Sequence, residues 1–401
     1  MFDDFSAFLE TQRPDSPQPD LPSHFIDIST EIVSEGNEEA LNFRFLADPC
    51  LSYPGKIVSV VYRRNKNEPV CAENAILDYD DDDDLLDKQH EALQALLKAI
   101  PDIETRSDFL YDTATCITIE TIDGKLTASI TEDVDAIISY FPIPLSLSHI
   151  PTISVTELKR IRPLHVYVDC VKWQGNTYAF KRSGEDNHHG SSMELTILDR
   201  LSKSPNIINL VAIVVNADNT ILGFLTPFIR SGDLGNVFER ARRGLGLGNE
   251  DDATAFEWPL KLSWARQITQ AVVDLHSIQA YNGDLKPQNV LIDSTGQALL
   301  IDFHSKGISD EFAAPELLEM FYSSTHETIT IPPSSDVYSL GLVLWAVAEE
   351  RWRGMRPPVW REGILTTPDW YRDVVRRCLA LSPEARPSVA DVLALLESEG
   401  G

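Results

Sequence analysis

Between Asn282 and Glu316, three polar clusters sit on short apolar runs, and this stretch constrains the chain more than any other. The clusters are Asn282-Gly283-Asp284-Leu285-Lys286-Pro287-Gln288-Asn289, Leu299-Leu300-Ile301-Asp302-Phe303-His304 and Ala314-Pro315-Glu316. The runs Val290 to Ile292 and Ala298 to Ile301 are β-type, and Asp293-Ser294-Thr295-Gly296 separates them with turn residues, which predicts a hairpin. A hairpin brings its two ends together, so Asp284, Lys286, Asn289 and Asp302 are expected to converge.

That group suits phosphoryl transfer. The reaction needs a carboxylate to position an attacking hydroxyl and accept its proton. It also needs oxygen ligands for Mg2+ on nucleotide phosphates and a cation for the transferring group. Asp284 fits the first role, Asn289 and Asp302 the second, Lys286 the third. The bland alternative is an Asp-rich surface turn pairing with nearby lysines, and three motifs in one order and spacing weigh against it. Here the chain resembles the eukaryotic protein kinase family. Asn282-Gly283-Asp284 stands where that family has His-Arg-Asp, and Asp302-Phe303-His304 where it has Asp-Phe-Gly.

Composition narrows the setting. A chain of 401 residues allows two or three domains and a large core, and its 43% apolar fraction is ordinary for a globular protein. A formal net charge of −28 repels nucleic acid and anionic membrane, so neither is expected as a partner. There is no long apolar run, so no transmembrane helix is expected. Met1-Phe2-Asp3-Asp4-Phe5 lacks a basic signal-peptide start. Cys50, Cys71, Cys116, Cys170 and Cys378 show no metal-type spacing and read as reduced thiols, which points to the cytoplasm or nucleus.

In chain order, residues 1–22 are rich in Pro, Asp and Ser and read as a disordered tail. Residues 23–150 predict a small α+β region of open role. Ile57 to Tyr62 reads as a strand, and Cys116 to Ile122 turns through Asp123-Gly124 into Leu126 to Ile130 as a hairpin. Leu93, Leu96, Leu97 and Ile100 have amphipathic helical spacing. Asp78 to Asp84 is an acidic run expected to be a solvated loop. Pro142, Pro144 and Pro151 mark a linker-like passage before residues 151–398.

The resemblance covers that last part. It implies an α+β, bilobal protein-kinase-like fold, with a small mainly-β lobe and a mainly-α lobe. It also implies ATP and Mg2+ as cofactors, a protein substrate, and one cleft around Lys181, Asp284, Asn289 and Asp302. Lys181 ends the strand Tyr178-Ala179-Phe180-Lys181-Arg182 and looks like the family's nucleotide-binding lysine. Glu194, on the helix from Met193 to Leu201, matches its ion-pair partner. His188 and His189 before it read as loop. Thr226 to Ile229 resembles the hinge, with Thr226 behind the adenine and Phe228 on the hinge backbone. Asp233 matches a ribose contact, and it is equally a good helix N-cap. Leu262 to His276 has core-helix spacing. Asp336 is expected to cap the catalytic loop from below, and Arg386 to pair with Glu316.

The pattern breaks in places. Lys159-Arg160-Ile161-Arg162-Pro163-Leu164-His165 stands where the family has its glycine-rich loop, and Lys159, Arg160 and Arg162 are candidates to supply phosphate-binding charge instead. Gly283 replaces an arginine and His304 a glycine. Ser309 falls where serine/threonine kinases place a threonine beside the catalytic Asp and Lys. Lys286 favours the serine/threonine subclass. The leading expectation is a serine/threonine protein kinase. A pseudokinase scaffold and, behind it, a small-molecule phosphotransferase remain as alternatives.

Overall fold

The computed structural model describes residues 25–35, 38–47, 56–77, 92, 95, 96, 98–100, 114–132, 140–165, 167–183, 187–246, 255–303, 308–323, 331–351, 358–360 and 367–398. The expected tail over residues 1–22, the acidic run Asp78 to Asp84, and His304 lie outside these residues. The described chain forms two compact units: one takes residues 25–188 and 212–225, the other residues 189–211 and 226–398.

The first unit holds two sheets. Strands β1 (Phe25–Glu35), β2 (Glu38–Ala47), β3 (Lys56–Arg63), β4 (Ala114–Ile122) and β5 (Lys125–Thr131) form one sheet in sequence order. All neighbours are antiparallel except β3 and β4. A parallel step needs a long crossover, and helix α1 (Ala72–Leu77) lies in it together with helical residues between 92 and 99. Period-2 alternation turns Val58, Val60 and Tyr62 of β3 and Ile117 and Ile119 of β4 to one face, where they bury against Ile76, Leu77, Leu96 and Ile100. The β4–β5 turn has Asp123 and Gly124 both at positive φ, the tight-hairpin geometry that an Asp-Gly pair favours.

The second sheet has the order β6 (Thr152–Ser154), β10 (Ala212–Val215), β11 (Ile221–Pro227), β9 (Asn176–Arg182), β8 (Val168–Trp173), β7 (Lys159–His165). The proline-bearing passage that suggests a linker is folded onto its edge. Ile221 N donates to Phe141 O at 2.8 Å and Ile213 N to Pro151 O at 2.9 Å. β6 runs parallel to β10, and Leu147, Ile150 and Ile153 are buried. Prolines fit here because an edge strap donates few ladder hydrogen bonds.

The second unit is mainly helical. Helix α2 (Asn187–Arg200) begins at Asn187, so His188 and His189 are helical rather than loop. α3 (Leu234–Gly244) is capped by Asp233, and α4 (Trp258–Ser277) buries Leu262, Trp264, Ile268, Val272 and Leu275. β12 (Val290–Ile292) and β13 (Ala298–Leu300) form the expected hairpin. α5 (Pro315–Ser323), α6 (Pro333–Glu349), α7 (Asp369–Cys378) and α8 (Val389–Ser398) complete the unit. α6 is buried from Ser335 to Glu349, which is why its sequence is apolar all round rather than striped. Gly341 is required there, since a Cβ would stand 2.7 Å from Cys378 Cβ. At the helix end, Glu350 at φ 52° accepts from the amides of Ala255 and Phe256 and pairs with buried Lys261 at 2.7 Å.

Candidate active site

The β12–β13 hairpin does what its sequence predicts: it brings the polar residues at its two ends together. Ile301 N donates to Asn289 O at 2.9 Å, closing the open end of the hairpin. Asn289 Nδ2 donates to Asp284 O at 2.9 Å. With its nitrogen spent on the main chain, Asn289 has its Oδ1 as the side-chain atom that could ligate a cation. Asn282 Nδ2 donates to Asp302 O at 3.1 Å, and Asp284 N donates to Asn282 Oδ1 at 3.1 Å. Asn282 therefore ties the backbone of Asp284 to that of Asp302. Asp302 itself sits at φ 62°, in the left-handed region, an uncommon conformation for a residue with a Cβ and one enriched at functional positions.

The Asp284 carboxylate is held from two sides. Lys286 Nζ donates to Oδ2 at 2.6 Å, and Ser309 N donates to Oδ1 at 2.8 Å. Lys286 Nζ also donates to Ser309 Oγ at 2.8 Å. Asp284 and Lys286 are partly accessible, with side chains 17% and 24% exposed, so solvent screens their attraction and the pair remains open to a third group. A carboxylate fixed by a backbone amide and a lysine, beside a partly exposed ammonium, can orient a hydroxyl, take its proton and offset negative charge nearby.

Beneath the loop lies a buried anchor. Asp336, fully buried on α6, accepts from Asn282 N and Gly283 N at 2.8 Å each. Gly283 adopts φ 75°, so the arginine of the family pattern is replaced at a position where glycine is conformationally at ease. His276 Nε2 lies 2.9 Å from Asp336 Oδ2. The sequence reading missed His276; its place at the end of the helix that feeds the loop was the available signal. Glu316 and Arg386 pair bidentately at 2.5 and 2.9 Å. Arg386 also donates to Ala380 O and Ser334 O and lies over the Tyr338 ring at 4.9 Å.

The remaining candidates fall as follows. Glu194 is 3% exposed, and its Oε1 accepts from Phe303 N at 3.4 Å, next to Asp302. Asp233 caps α3: its Oδ1 accepts from Asn236 N at 2.9 Å and its Oδ2 from Asn236 Nδ2. Burial pushes its carboxyl pKa up despite those hydrogen bonds. Thr226 and Phe228 are partly buried at the end of β11 and just after it.

Lys181 belongs to the other unit, near the end of β9. Gly223 of β11 approaches it so closely that a Cβ there would lie 2.1 Å from Lys181 O. The expectation that Arg160 supplies phosphate-binding charge is overturned. Its side chain is 2% exposed and turned to Asp169, with Nε at 2.9 Å from Oδ1. Arg182 Nε lies 3.3 Å from Asp169 Oδ2, so one buried carboxylate faces two arginines. Burial and the neighbouring Arg182 draw the Arg160 pKa down, and Asp169 opposes them.

Comparison with known proteins gives a consistent picture. A family model described as "Protein kinase domain" matches residues 165–395. The chain is 26% identical over 258 residues to "Mitogen-activated protein kinase kinase kinase 7" of Homo sapiens, covering 56% of this chain and 38% of that protein. It is 25% identical over 221 residues to "CBL-interacting protein kinase 19" of Oryza sativa subsp. japonica, covering 50% and 40%. It is 24% identical over 263 residues to "Serine/threonine-protein kinase 12" of Arabidopsis thaliana, covering 56% and 52%. The chain thus spans about half or less of the length of these relatives.

Proposed function

The chain belongs to the protein kinase family, and on that premise we propose that it transfers the γ-phosphate of ATP to serine or threonine hydroxyls of a protein substrate. One observation carries this reading. Asp284, Lys286 and Ser309 form a closed hydrogen-bonded set beside Asn289 and Asp302. The loop offers a carboxylate, an ammonium and an amide oxygen of the kinds that phosphoryl transfer uses, although Asn282 and Gly283 depart from the family pattern.

The donor set fits a magnesium-nucleotide cofactor. Asp302 and Asn289 offer hard oxygen atoms, and the Asn289 amide nitrogen is already committed to Asp284 O. These two residues would hold the ion, whose contribution when bound is to neutralise phosphate charge. The side chains of the loop do the rest. Asp284 orients the substrate hydroxyl and takes its proton. Lys286 balances charge between that carboxylate and the incoming group, and Ser309 fixes the Lys286 ammonium. Lys181 is assigned by family position to the nucleotide phosphates, Glu194 to the family's helix glutamate, and Thr226, Phe228 and Asp233 to the adenosine end. Among the described residues no helix is long and apolar enough to cross a membrane.

The test compares the purified full chain with Asp284→Asn, using ATP, Mg2+ and a generic serine/threonine-bearing protein. Transfer should fall by at least about a hundredfold in the variant. No transfer by the unaltered chain, or equal transfer by both, sinks the catalytic reading. A pseudokinase is the second reading, favoured by the side chains of Lys159 to His165 in place of small residues.

A further inference from the structure

The basic residues of β7 recur every third position: Lys159, Arg162 and His165. In a regular strand that spacing would send them alternately to opposite faces. Two register shifts, between Arg160 and Arg162 and between Pro163 and His165, change this. Lys159 pairs with Lys172, Arg162 with Cys170 and His165 with Val168. The partners on β8 are two apart, so they share one face, and directly opposed residues of an antiparallel pair share it too.

β9 continues the rows. Lys172 pairs with Thr177, Cys170 with Ala179 and Val168 with Lys181. Lys159, Arg162, His165, Lys172 and Lys181 therefore lie on one face of the β7–β8–β9 meander. The contacts on the opposite face agree with this register, because Arg160, Asp169 and Arg182 meet there. Arg162 also acts on the Cys170 thiol: burial raises that pKa, and the guanidinium pulls it back. Asp169 is the sole acidic residue of these three strands, and it is on the other face. In a chain of net charge −28, five basic groups on one face of three strands that contribute no carboxylate of their own to it are an exceptional concentration.

We propose that Arg162 and His165, alongside Lys181, grip the phosphate chain of a nucleoside di- or triphosphate, replacing with side chains the backbone donors of a glycine-rich loop. The inference rests on the nucleotide-dependent reading above and names residues that reading leaves unassigned. His165 stands in the same row as Lys181, and Arg162 one row further on. Rows on one face are roughly 7 Å apart, within the span of a polyphosphate. The Lys159–Lys172 row is roughly 14 Å from Lys181, beyond it. Arg162 and His165 are exposed, as a ligand-facing pair must be. A guanidinium adds bidentate geometry that a flexible lysine lacks.

The experiment titrates the full chain with adenosine, AMP, ADP and ATP in EDTA and again in Mg2+. In EDTA, affinity of the unaltered chain should climb with each phosphate and weaken with salt. Arg162→Ala should lose about tenfold in ATP and ADP affinity, and less than about twofold for adenosine. Lys172→Ala, on the distal row, should bind all four as the unaltered chain does. If Arg162→Ala and the double change with His165→Ala bind ATP normally, the grip is overturned while the nucleotide reading stands. If the unaltered chain binds adenosine and ATP equally, or neither, the grip is overturned, and binding of neither removes the kinase reading as well. Preference for single-stranded oligonucleotide or anionic vesicles over ATP would assign the face to another polyanion and also overturn it.

Discussion

Removing the Asp336 carboxylate is the sharpest test of how the loop from Asn282 to Asn289 is held. The side chain is fully buried and takes hydrogen bonds from the amides of Asn282 and Gly283, with His276 Nε2 at 2.9 Å. Asp336→Ala leaves both amides without an acceptor inside the protein. Each such loss costs about 1–3 kcal/mol, so the two together cost about 2–6 kcal/mol. Asp336→Asn keeps one acceptor oxygen and turns an amide NH2 on the other donors, and should cost roughly half as much. Denaturant unfolding of the full chain followed by tryptophan fluorescence reads the difference, since Trp264 and Trp345 are both buried in this unit. Asp284 follows Gly283 directly, so the same loss should displace the carboxylate that Ser309 and Lys286 hold. A displacement of about 1 Å can lower turnover on the order of a hundredfold, with a smaller effect on KM. If Asp336→Ala unfolds within about 1 kcal/mol of the unaltered chain, or keeps full transfer activity, the two amides have other acceptors and the anchoring argument is wrong.

Further expectations follow from the packing. Gly223→Ala adds a Cβ 2.1 Å from Lys181 O at a φ of +152°, so β11 must move off β9; stability should fall by at least about 2 kcal/mol and ATP affinity with it, and a calorimetric titration checks both. Arg386→Met abolishes the bidentate pair with Glu316 and three backbone contacts, with an expected cost of about 3 kcal/mol, whereas a double-mutant cycle with Glu316→Gln should show strong non-additivity. Burial lifts the Cys378 thiol pKa to about 12, so it stays protonated and should resist alkylation at mildly alkaline pH until the chain unfolds; rapid labelling of Cys378 in the native state would contradict its placement under Gly341.

The convergence of the loop residues was legible because it is local. Asp284, Lys286, Asn289 and Asp302 sit within a single hairpin and its flanks, where spacing alone fixes proximity. Asp336 and the Arg386–Glu316 pair were legible through the motif around each, though each spans more than 50 residues of sequence. What escaped depended on strand register. The commitment of Arg160 to Asp169 follows from which residues of β8 stand opposite β7, and the shared face of Lys159, Arg162 and His165 from bulges, which insert unpaired residues that no period-2 count foresees. The strap from Tyr140 to Glu157 escaped for a related reason: prolines mark the absence of donors, and an edge position needs few of them as much as a linker does.

That strap limits how the kinase-family part can be cut out or transplanted. The family match begins at residue 165, inside the sheet rather than before it. A fragment started there loses β6 and most of β7 at once, one from each margin of the sheet. Ile213 N and Ile221 N lose the acceptors Pro151 O and Phe141 O, and β10 becomes a bare apolar margin open to pairing with another chain. Chimeras and expression fragments joined downstream of Tyr140 should therefore precipitate or self-associate, and the safe seam lies upstream of that residue.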